Sequence, residues 1–557
     1  MTQPRRSLPV FPIAVLIIGA IVGGMLGSDA QADAGQAEDQ FWTFGRVLSL
    51  VEEQYVGELE SDELVENAIA GLLQTLDPHS NYLNPESFSE MRDEQRGKFS
   101  GLGIQITKRG ADKPLTVIAP IDGTPASRAG LQSGDVISKI EGEPTIELTV
   151  QDAVRLLKGP KGSEVTITIE RPGLDDSFDV TIGRDDIPIE SIRVYHMLAD
   201  GVGYVRIANF TSTTVTELDT AVTELSEQGM GRLLLDLRGN PGGLLEQAVQ
   251  VSDRFVGEGD KIVFTRGRVA GSNQDYFAQR GADKIDLPLI VLVNGSSASA
   301  SEIVSGAIQD HDLGLVVGET TFGKGLVQRV IPLRDGGALA VTTAKYFTPS
   351  GRLIQRDYTD VEQYYMNRNG ELEPGDADDI EGTSGAEIFF TDTGRKVFGG
   401  GGIHPDHTVE NDNASQFILR LFRENQLFDF SVEFLSANPE IDKNVALTDE
   451  DIESFRAFLT AREVEFTPEE FAADRDLINL RLRAQIARIR WDANVESRVL
   501  SEGDKQIQKA IELFEEAEKL RADRPDDARP KDRSQDRLRA DAGSIDSDPV
   551  VESESQQ

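Results

Sequence analysis

The 557-residue chain contains no cysteine. That excludes a disulfide framework, a thiolate nucleophile and any zinc site built on cysteine. Basic residues are scarce: 56 Lys and Arg stand against 96 Asp and Glu, for a formal net charge of -40. Binding to nucleic acid needs clustered cations on the phosphates, so nucleic acid is excluded as a partner. The acidic balance suits a highly soluble protein or one adapted to high salt, and composition does not separate the two. Histidine is rare, with 5 in the chain, which limits where an imidazole base or ligand can lie. Long apolar runs are missing apart from Val10–Leu26, and no later stretch is long enough to span a bilayer.

Arg5 and Arg6 precede that run and Ala30-Gln31-Ala32 follows it. A charged start, an apolar run and an A-x-A site predict a secretory signal peptide cut after Ala32, with an uncleaved membrane anchor as the rival. Either places the body of the protein beyond a plasma membrane. The length predicts two to four domains.

Chemistry concentrates between Leu289 and Gln328. Leu289–Val293 reads as a buried strand, Asn294 to Ser297 as a turn, and Ala300 to Asp310 as a helix with Ile303, Val304, Ala307 and Ile308 on its apolar face. Leu315–Val317 is a second strand, and Gly323-Lys324-Gly325 a loop after it. So short a strand–helix–strand unit predicts parallel strands and a right-handed crossover. Ser299 and Lys324 then both follow the carboxyl end of a strand, where open α/β sheets place their ligand sites. A helix start can stabilise a developing oxyanion near Ser299. Lys324, flanked by glycines, can serve as base only if burial lowers its pKa. The bland alternative is a small-residue helix start beside an ordinary loop lysine.

A similar pattern precedes this one. Leu233–Leu237 is a buried strand, Arg238-Gly-Asn-Pro-Gly-Gly243 a turn, and Leu244 to Phe255 a helix. Adjacent glycines leave backbone N–H groups unobstructed, as an oxyanion hole requires, and no Walker lysine follows to make it a phosphate loop. Phe99 to about Arg184 reads as a compact β-rich module, with Gly101-Leu102-Gly103-Ile104 at its opening, a helix over Val150–Leu157 and a strand over Val165–Ile169. Upstream, Phe44, Val47, Leu48, Val51 and Tyr55 mark one helical face, and Leu64 to Leu76 a second helix ending in the turn Asp77–Ser80.

The blocks Gly295–Ile303, Gly306–His311 and Val317–Gln328 (GSSASASEI, GAIQDH, VGETTFGKGLVQ) resemble the active-site block of the carboxyl-terminal processing peptidases, or tail-specific proteases. That family uses a Ser/Lys dyad on a fold related to the crotonase and Clp protease superfold. The resemblance implies Ser299 as nucleophile, Lys324 as base and Gln328 as its supporting residue. Asp236–Gly243 resembles the family's DLRxNPGG motif, which implies an oxyanion hole from the amide of Gly242 or Gly243 together with that of Ala300. The module over 97–186 resembles a PDZ domain, whose loop Gly101, Leu102, Gly103 and Ile104 would hold a peptide carboxylate while a strand edge pairs the peptide. Leu76–Tyr82 (LDPHSNY) resembles the family's N-terminal segment, which makes His79 a turn residue.

The fold class expected is multi-domain α+β: a crotonase/Clp-like α/β protease core with an inserted β-rich PDZ domain and helical N- and C-terminal regions. The domains expected are a signal peptide or anchor (1–32), a helical segment (39–96), the PDZ domain (97–186), the protease core (187–410, with an acidic inserted loop at 359–387), a C-terminal helical region (411–522) and a disordered acidic tail (523–557). The resemblance is read over Asp39 to Val409, so the C-terminal region is unassigned: a cap on the protease, a homo-oligomer contact or an adaptor site. Its expected core residues are Phe417, Leu421, Phe455, Phe458, Leu459, Ile486 and Ile489, with a last helix over Ser501 to Leu520 marked by Ile507, Ile511 and Phe514.

Histidine chemistry is set aside on geometry. His404 and His407 lack the helical spacing of a metal pair. Twelve residues separate Ser299 from His311, about 18 Å along a helix axis, too far for a base. Asp310 beside it supports the fold instead. No metal or cofactor is expected. The function expected is an exported serine endopeptidase, periplasmic and either soluble or anchored to the inner membrane, that acts on proteins with free apolar C-termini. The alternatives are a catalytically silent peptide-binding scaffold of the same fold and a crotonase-like acyl-CoA enzyme, which would not explain the PDZ module.

Overall fold

The computed structural model describes residues 39–108, 113–280, 284–361, 364, 387–411 and 414–524. The expected signal peptide or anchor (1–32), most of the acidic insertion (359–387) and nearly all of the acidic tail (523–557) lie outside the described residues. The chain divides into two units, 1–82 and 83–557.

In the first unit, helix α1 (39–54) and helix α2 (Ser61–Gln74) lead to the Asp77–Ser80 turn. Asp77 Oδ1 accepts from the N–H groups of His79 and Ser80, each at 2.8 Å, which closes the turn. The apolar face expected on α1 is present but open: Phe44, Val47 and Val51 are exposed, as is Tyr55 just beyond it.

The second unit opens with helix α3 (Pro85–Arg96). Asn84 caps its start, and Gly97 ends it in a left-handed conformation (φ 70°) that a Cβ would push into Thr213. Strand β1 (Lys98–Gly101) then leaves the core, and β7 (Asp185–Pro188) returns antiparallel to it, so the two ends of the inserted module form a common stem. Inside the module lie β2 (Ile104–Lys108), β3 (Leu115–Pro120), β4 (Val136–Ile140), helix α4 (Val150–Leu157), β5 (Glu164–Glu170) and β6 (Phe178–Gly183). The sheet runs β2-β3-β4-β5-β6, which leaves β2 as an edge strand next to α4. Leu115, Val117, Ile137, Val165, Ile167 and Ile169 fill a core separate from that of the rest.

The main sheet is built from β8 (Val194–Met197), β9 (Val202–Arg206), β10 (Arg232–Asp236), β13 (Leu289–Val293), β14 (Leu315–Gly318) and β19 (His407–Thr408), in that order. All neighbours are parallel except β8 with β9. A parallel sheet must be covered on both faces. Leu233, Leu235, Val291 and Val293 point into a core with α5 (Thr214–Glu227), α6 (Leu245–Ser252) and α7 (Ala300–Asp310). Leu234, Ile290, Leu292 and Val317 point the other way, onto Ile507, Leu513 and Phe514 of the last described helix. Between β10 and β14 the chain also forms β11 (Lys261–Arg266) and β12 (Gln274–Phe277). These join β15 (Leu326–Pro332) and β16 (Ala338–Phe347) in an antiparallel sheet, in which β16 pairs with both β11 and β15. A small hairpin, β17 (Ile388–Phe390) and β18 (Lys396–Phe398), precedes β19.

Among the described residues the C-terminal region is seven helices: α8 (Gln416–Arg423), α9 (Gln426–Ala437), α10 (Asp449–Ala461), α11 (Pro468–Ala473), α12 (Arg475–Arg490), α13 (Ala493–Ser501) and α14 (Lys505–Ala522). Phe417, Leu421, Phe455, Leu459 and Ile486 are buried as expected, while Phe458 and Ile489 are half-buried. The helix expected over Ser501 to Leu520 is α14, which starts at Lys505 and not at Ser501; Ser501 closes α13, and a break over 502–504 separates the two. The break follows from Asp504, whose Oδ1 accepts from the N–H groups of Gln506 and Ile507 and starts a new helix.

Candidate active site

Two loops at the carboxyl ends of β10 and β13 are laced together by polar atoms. Ser297 Oγ donates to Leu237 O at 2.9 Å, Ala298 N–H to Asn240 O at 3.0 Å and Ser301 Oγ to the same carbonyl at 2.9 Å. Asn240 is fully buried and holds its own turn by donating to Ile207 O and accepting from Gly242 N–H, at 2.9 and 2.8 Å. Below it, Asp236 is paired with Arg238 at 2.7 Å and accepts from Tyr204 Oη at 2.6 Å. Burial alone would raise the Asp236 pKa, but Arg238 and these hydrogen bonds bring it below the usual carboxylate value.

The glycines differ in role. Gly242 has φ 105°, and a Cβ there would lie 2.9 Å from Ser299 Cβ and 3.0 Å from Ala300 N. Only a glycine allows so close an approach to Ser299. Its N–H is taken by Asn240. Gly243, with φ 144°, lies against the backbone of Phe210 and is exposed. Among the described residues no acceptor takes the N–H of Gly243 or that of Ala300. Two unused donors thus flank the half-buried Ser299.

Ser299 itself is strained. Its φ 53° and ψ -109° are unusual for a residue with a side chain, and such a conformation persists only when its surroundings enforce it. Glu302 enforces it from one side. This fully buried carboxylate accepts from Ser299 N–H at 2.8 Å, Lys324 N–H at 2.9 Å, Gly323 N–H at 2.7 Å and Thr321 Oγ1 at 2.6 Å. Burial raises the Glu302 pKa above the usual range and the four donors oppose that rise. The arrangement is that of the ionised form, since every neighbour donates. From the other side Tyr346 Oη donates to Ser299 O at 3.0 Å.

Lys324 and Gln328 meet at the start of β15: Lys324 Nζ donates to Gln328 Oε1 at 3.3 Å, and both are half-buried. Phe322, next to the lysine loop, stacks edge-on against Tyr364 at 5.3 Å, with the Arg356 guanidinium over its ring. Ser299, Ala300, Gly242, Lys324 and Gln328 are thus gathered by the shared carboxylate and by the glycine's approach, although they come from three segments.

His311, His404 and His407 are engaged with other groups. His311 ends α7 with its ring nitrogens on Asp392 Oδ2 at 2.8 Å and Lys261 O at 2.7 Å. Asp310 beside it is buried in an ion pair with Arg352. Desolvation pushes the pKa of the half-buried His404 down to about 4, and His407 pairs with Glu516 at 3.0 Å. In the inserted module, Gly103 has φ 79° and packs on Thr124, while Leu102 O and Gly103 O accept from Ala126 N–H and Ile121 N–H. Among the described residues the N–H groups of Leu102 and Gly103 have no acceptor. Gly101 closes β1 and Ile104 opens the edge strand β2.

The sequence reading missed Glu302, Asn240 and Tyr346. Ser299-x-x-Glu302 is a capping-box spacing and could have flagged the first. Asn240 sits within the quoted turn but carried no separate signal, and nothing local marks Tyr346.

Comparisons with known proteins bear on four stretches of the chain. A model of peptidase family S41 matches residues 201–362 and a PDZ-domain model residues 116–171. A model of the N-terminal domain of the activating protease CtpB matches 19–87. One described as "Probable PDZ-protease, C-terminal helical domain" matches 417–473, so the likeness extends past Val409, beyond the span read from the sequence. The carboxy-terminal-processing protease of Bartonella bacilliformis is 41% identical over 350 residues, covering 62% of this chain and 80% of that protein. The carboxy-terminal processing protease CtpA of Bacillus subtilis is 33% identical over 362 residues, covering 63% and 76%. Among solved structures, the photosystem II D1 C-terminal processing protease is 31% identical with a TM-score of 0.32, covering 56% of this chain and 89% of that one. The chain belongs to the carboxyl-terminal processing proteases of peptidase family S41 and is a serine peptidase with an N-terminal CtpB-like domain, a PDZ domain and a C-terminal helical domain.

Proposed function

We propose that this peptidase is exported, recognises the free C-terminus of a protein through its PDZ domain, and cleaves with Ser299 and Lys324 on a core of crotonase/Clp kinship. In the acylation step Ser299 Oγ attacks the scissile carbonyl carbon as its proton passes to neutral Lys324 Nζ. The carbonyl oxygen becomes an oxyanion held by the N–H groups of Gly243 and Ala300. The tetrahedral species collapses to the acyl-enzyme, and Lys324 returns the proton to the leaving amine. Water then repeats the sequence and frees Ser299. Gln328 Oε1 orients the lysine amine. Gly242 serves through its missing Cβ and its neighbour Gly243 is the donor, because the Gly242 N–H is already engaged.

One observation carries the reading: the backbones of Ser299 and Lys324 share a single buried carboxylate, which fixes the two side chains to one frame. A serine-directed peptidyl phosphonate tests it. Wild type should be labelled at Ser299, and Ser299→Ala should be neither labelled nor active. Labelling of Ser299→Ala at another residue would overturn the assignment.

The recognition step rests on the free amides of Leu102 and Gly103 beside the edge strand β2. Charge-assisted hydrogen bonds are worth about 1.5–3 kcal/mol each, so a peptide with a free apolar C-terminus should bind well above its amidated form. Equal affinity in a titration would sink this mode. Export rests on residues 1–32 of the sequence. Mass spectrometry of the exported protein should find either a chain starting at Asp33 or one still membrane-anchored through Val10–Leu26; full-length protein in the cytosol would count against both.

A further inference from the structure

The peptide unit that follows Ser299 has two ends. Its N–H end is Ala300, assigned above to the oxyanion. Its C=O end is Ser299 O, which accepts from the helix amides of Glu302 and Ile303 at 2.9 and 3.0 Å and from Tyr346 Oη at 3.0 Å. Helix α7 alone would supply the first two donors. The third comes from β16, across the core, from a tyrosine that is 1% exposed. The same residue donates its own N–H to Gly325 O at 2.9 Å, next to Lys324. Tyr346 therefore touches the serine peptide through its side chain and the lysine loop through its backbone.

We infer that Tyr346 is a positioning residue for the oxyanion hole: its hydroxyl fixes the plane of the Ser299–Ala300 peptide, aims the Ala300 N–H and polarises it as a donor. This rests on the Ser/Lys reading of the site. A residue with φ 53° and ψ -109° has no intrinsic preference for that peptide orientation, so the plane must be held from outside. Glu302 holds the preceding peptide through Ser299 N–H. Nothing else from outside α7 holds the following one among the described residues. A hydrogen bond to the C=O of an amide also draws charge from its N–H, since linked hydrogen bonds strengthen one another. Donation to an oxyanion is where such strengthening acts on the transition state and not on the bound substrate.

The test is Tyr346→Phe, which keeps the ring and removes the hydroxyl. Loss of an entire oxyanion donor costs about a hundredfold to a thousandfold in kcat; misaiming one should cost about tenfold to a hundredfold. KM should change by less than about threefold, as expected when an interaction confined to the transition state is weakened. Affinity for a peptide aldehyde, whose adduct carries the tetrahedral oxygen, should fall by the same factor as kcat/KM. The pH midpoint of activity should stay at its wild-type value, because the lysine is untouched. A wild-type kcat, or a loss in which aldehyde affinity is unchanged, overturns the inference. A shifted pH midpoint overturns it too, by assigning Tyr346 to the base. If Tyr346→Phe does not fold, p-aminophenylalanine at 346 restores a weaker donor: activity between wild type and inactive supports the role, and no activity in a folded protein refutes it. Ser299→Ala and Lys324→Met, assayed alongside, keep the readings apart. Activity in either defeats the dyad itself, whereas wild-type kinetics in Tyr346→Phe defeat only the positioning role.

Discussion

Lys324 can take a proton only while its amine is neutral, and that requirement separates it from every other cation. Arginine in its place would stay charged at any working pH and could not accept from Ser299. Lys324→Arg should therefore lose activity almost as completely as Lys324→Ala, read as steady-state turnover of a peptide; near-normal turnover would end the Ser/Lys mechanism. Glu302 poses a second question of single atoms. Its two oxygens receive four donors, and an amide in its place would turn an NH2 towards two of them. Buried donors left unmet cost about 1–3 kcal/mol each, so Glu302→Gln should lower stability by about 2–6 kcal/mol in urea unfolding and reduce turnover more than hundredfold, by about the margin seen when an oxyanion donor is lost. A Glu302→Gln enzyme with wild-type turnover would show that the shared carboxylate does not set the geometry. Ser299 and Lys324 were legible as residue types at strand ends because small residues and glycines surround them. Tyr346 was not: nothing about a tyrosine in a strand announces that its hydroxyl reaches a carbonyl 47 positions away.

At the scale of elements, α7 has chemistry at both ends. Its N-terminus carries Ser299, and its C-terminus carries His311, with both ring nitrogens on acceptors. Burial lowers the His311 pKa, yet Asp392, the Lys261 carbonyl and the more distant Asp260 together raise it above the ordinary 6.5. The sign follows directly. A folded-state pKa above the unfolded value means that the protonated ring contributes its full stability below about 6.5, and that this is lost as pH rises through the higher folded value. Urea midpoints of wild type should decline as pH rises from about 6.5 through the higher folded value, while those of His311→Gln should lack that component of the slope. Identical slopes would mean that His311 is not charged in the fold. The same helix shows why elements are read more easily than their packing. Its apolar spacing predicted Ala300–Asp310 to the residue, because local periodicity settles where a helix begins and ends when a turn precedes it. The start of α14 was read at Ser501 and not at Lys505, because no apolar spacing marks Asp504, and only its bonds to two amides identify it as a cap.

For the whole molecule, the parallel sheet raises a demand that the family resemblance left unanswered. The runs Leu233–Leu235 and Leu289–Val293 are apolar at every position, which means both faces are buried. Helices α5, α6 and α7 cover one face, and the sequence in that neighbourhood supplies them. The other face is covered from the far end of the chain, by α14, which packs Ile507, Ala510, Leu513, Phe514 and Ala517 on Tyr204, Leu234, Ile290 and Leu292. The amphipathic stripe of that helix was readable; its partner was not, since long-range pairing leaves no local trace. The helix is also tied by charge to the loop that follows β10. Arg238, in the turn that leads to Gly242, reaches Asp504 at 2.9 Å and Gln506 at 2.7 Å while holding Asp236. The C-terminal end of the described chain is thus part of the protease core. Phe514 is fully buried, and its truncation to alanine should cost about 3–5 kcal/mol in urea unfolding. Removing 504–557 should do more: with one sheet face bare, the peptidase should be recovered aggregated and inactive. A chain ending at Gly503 that stays soluble, melts at the wild-type temperature and is still labelled at Ser299 would show that the helix is an appendage.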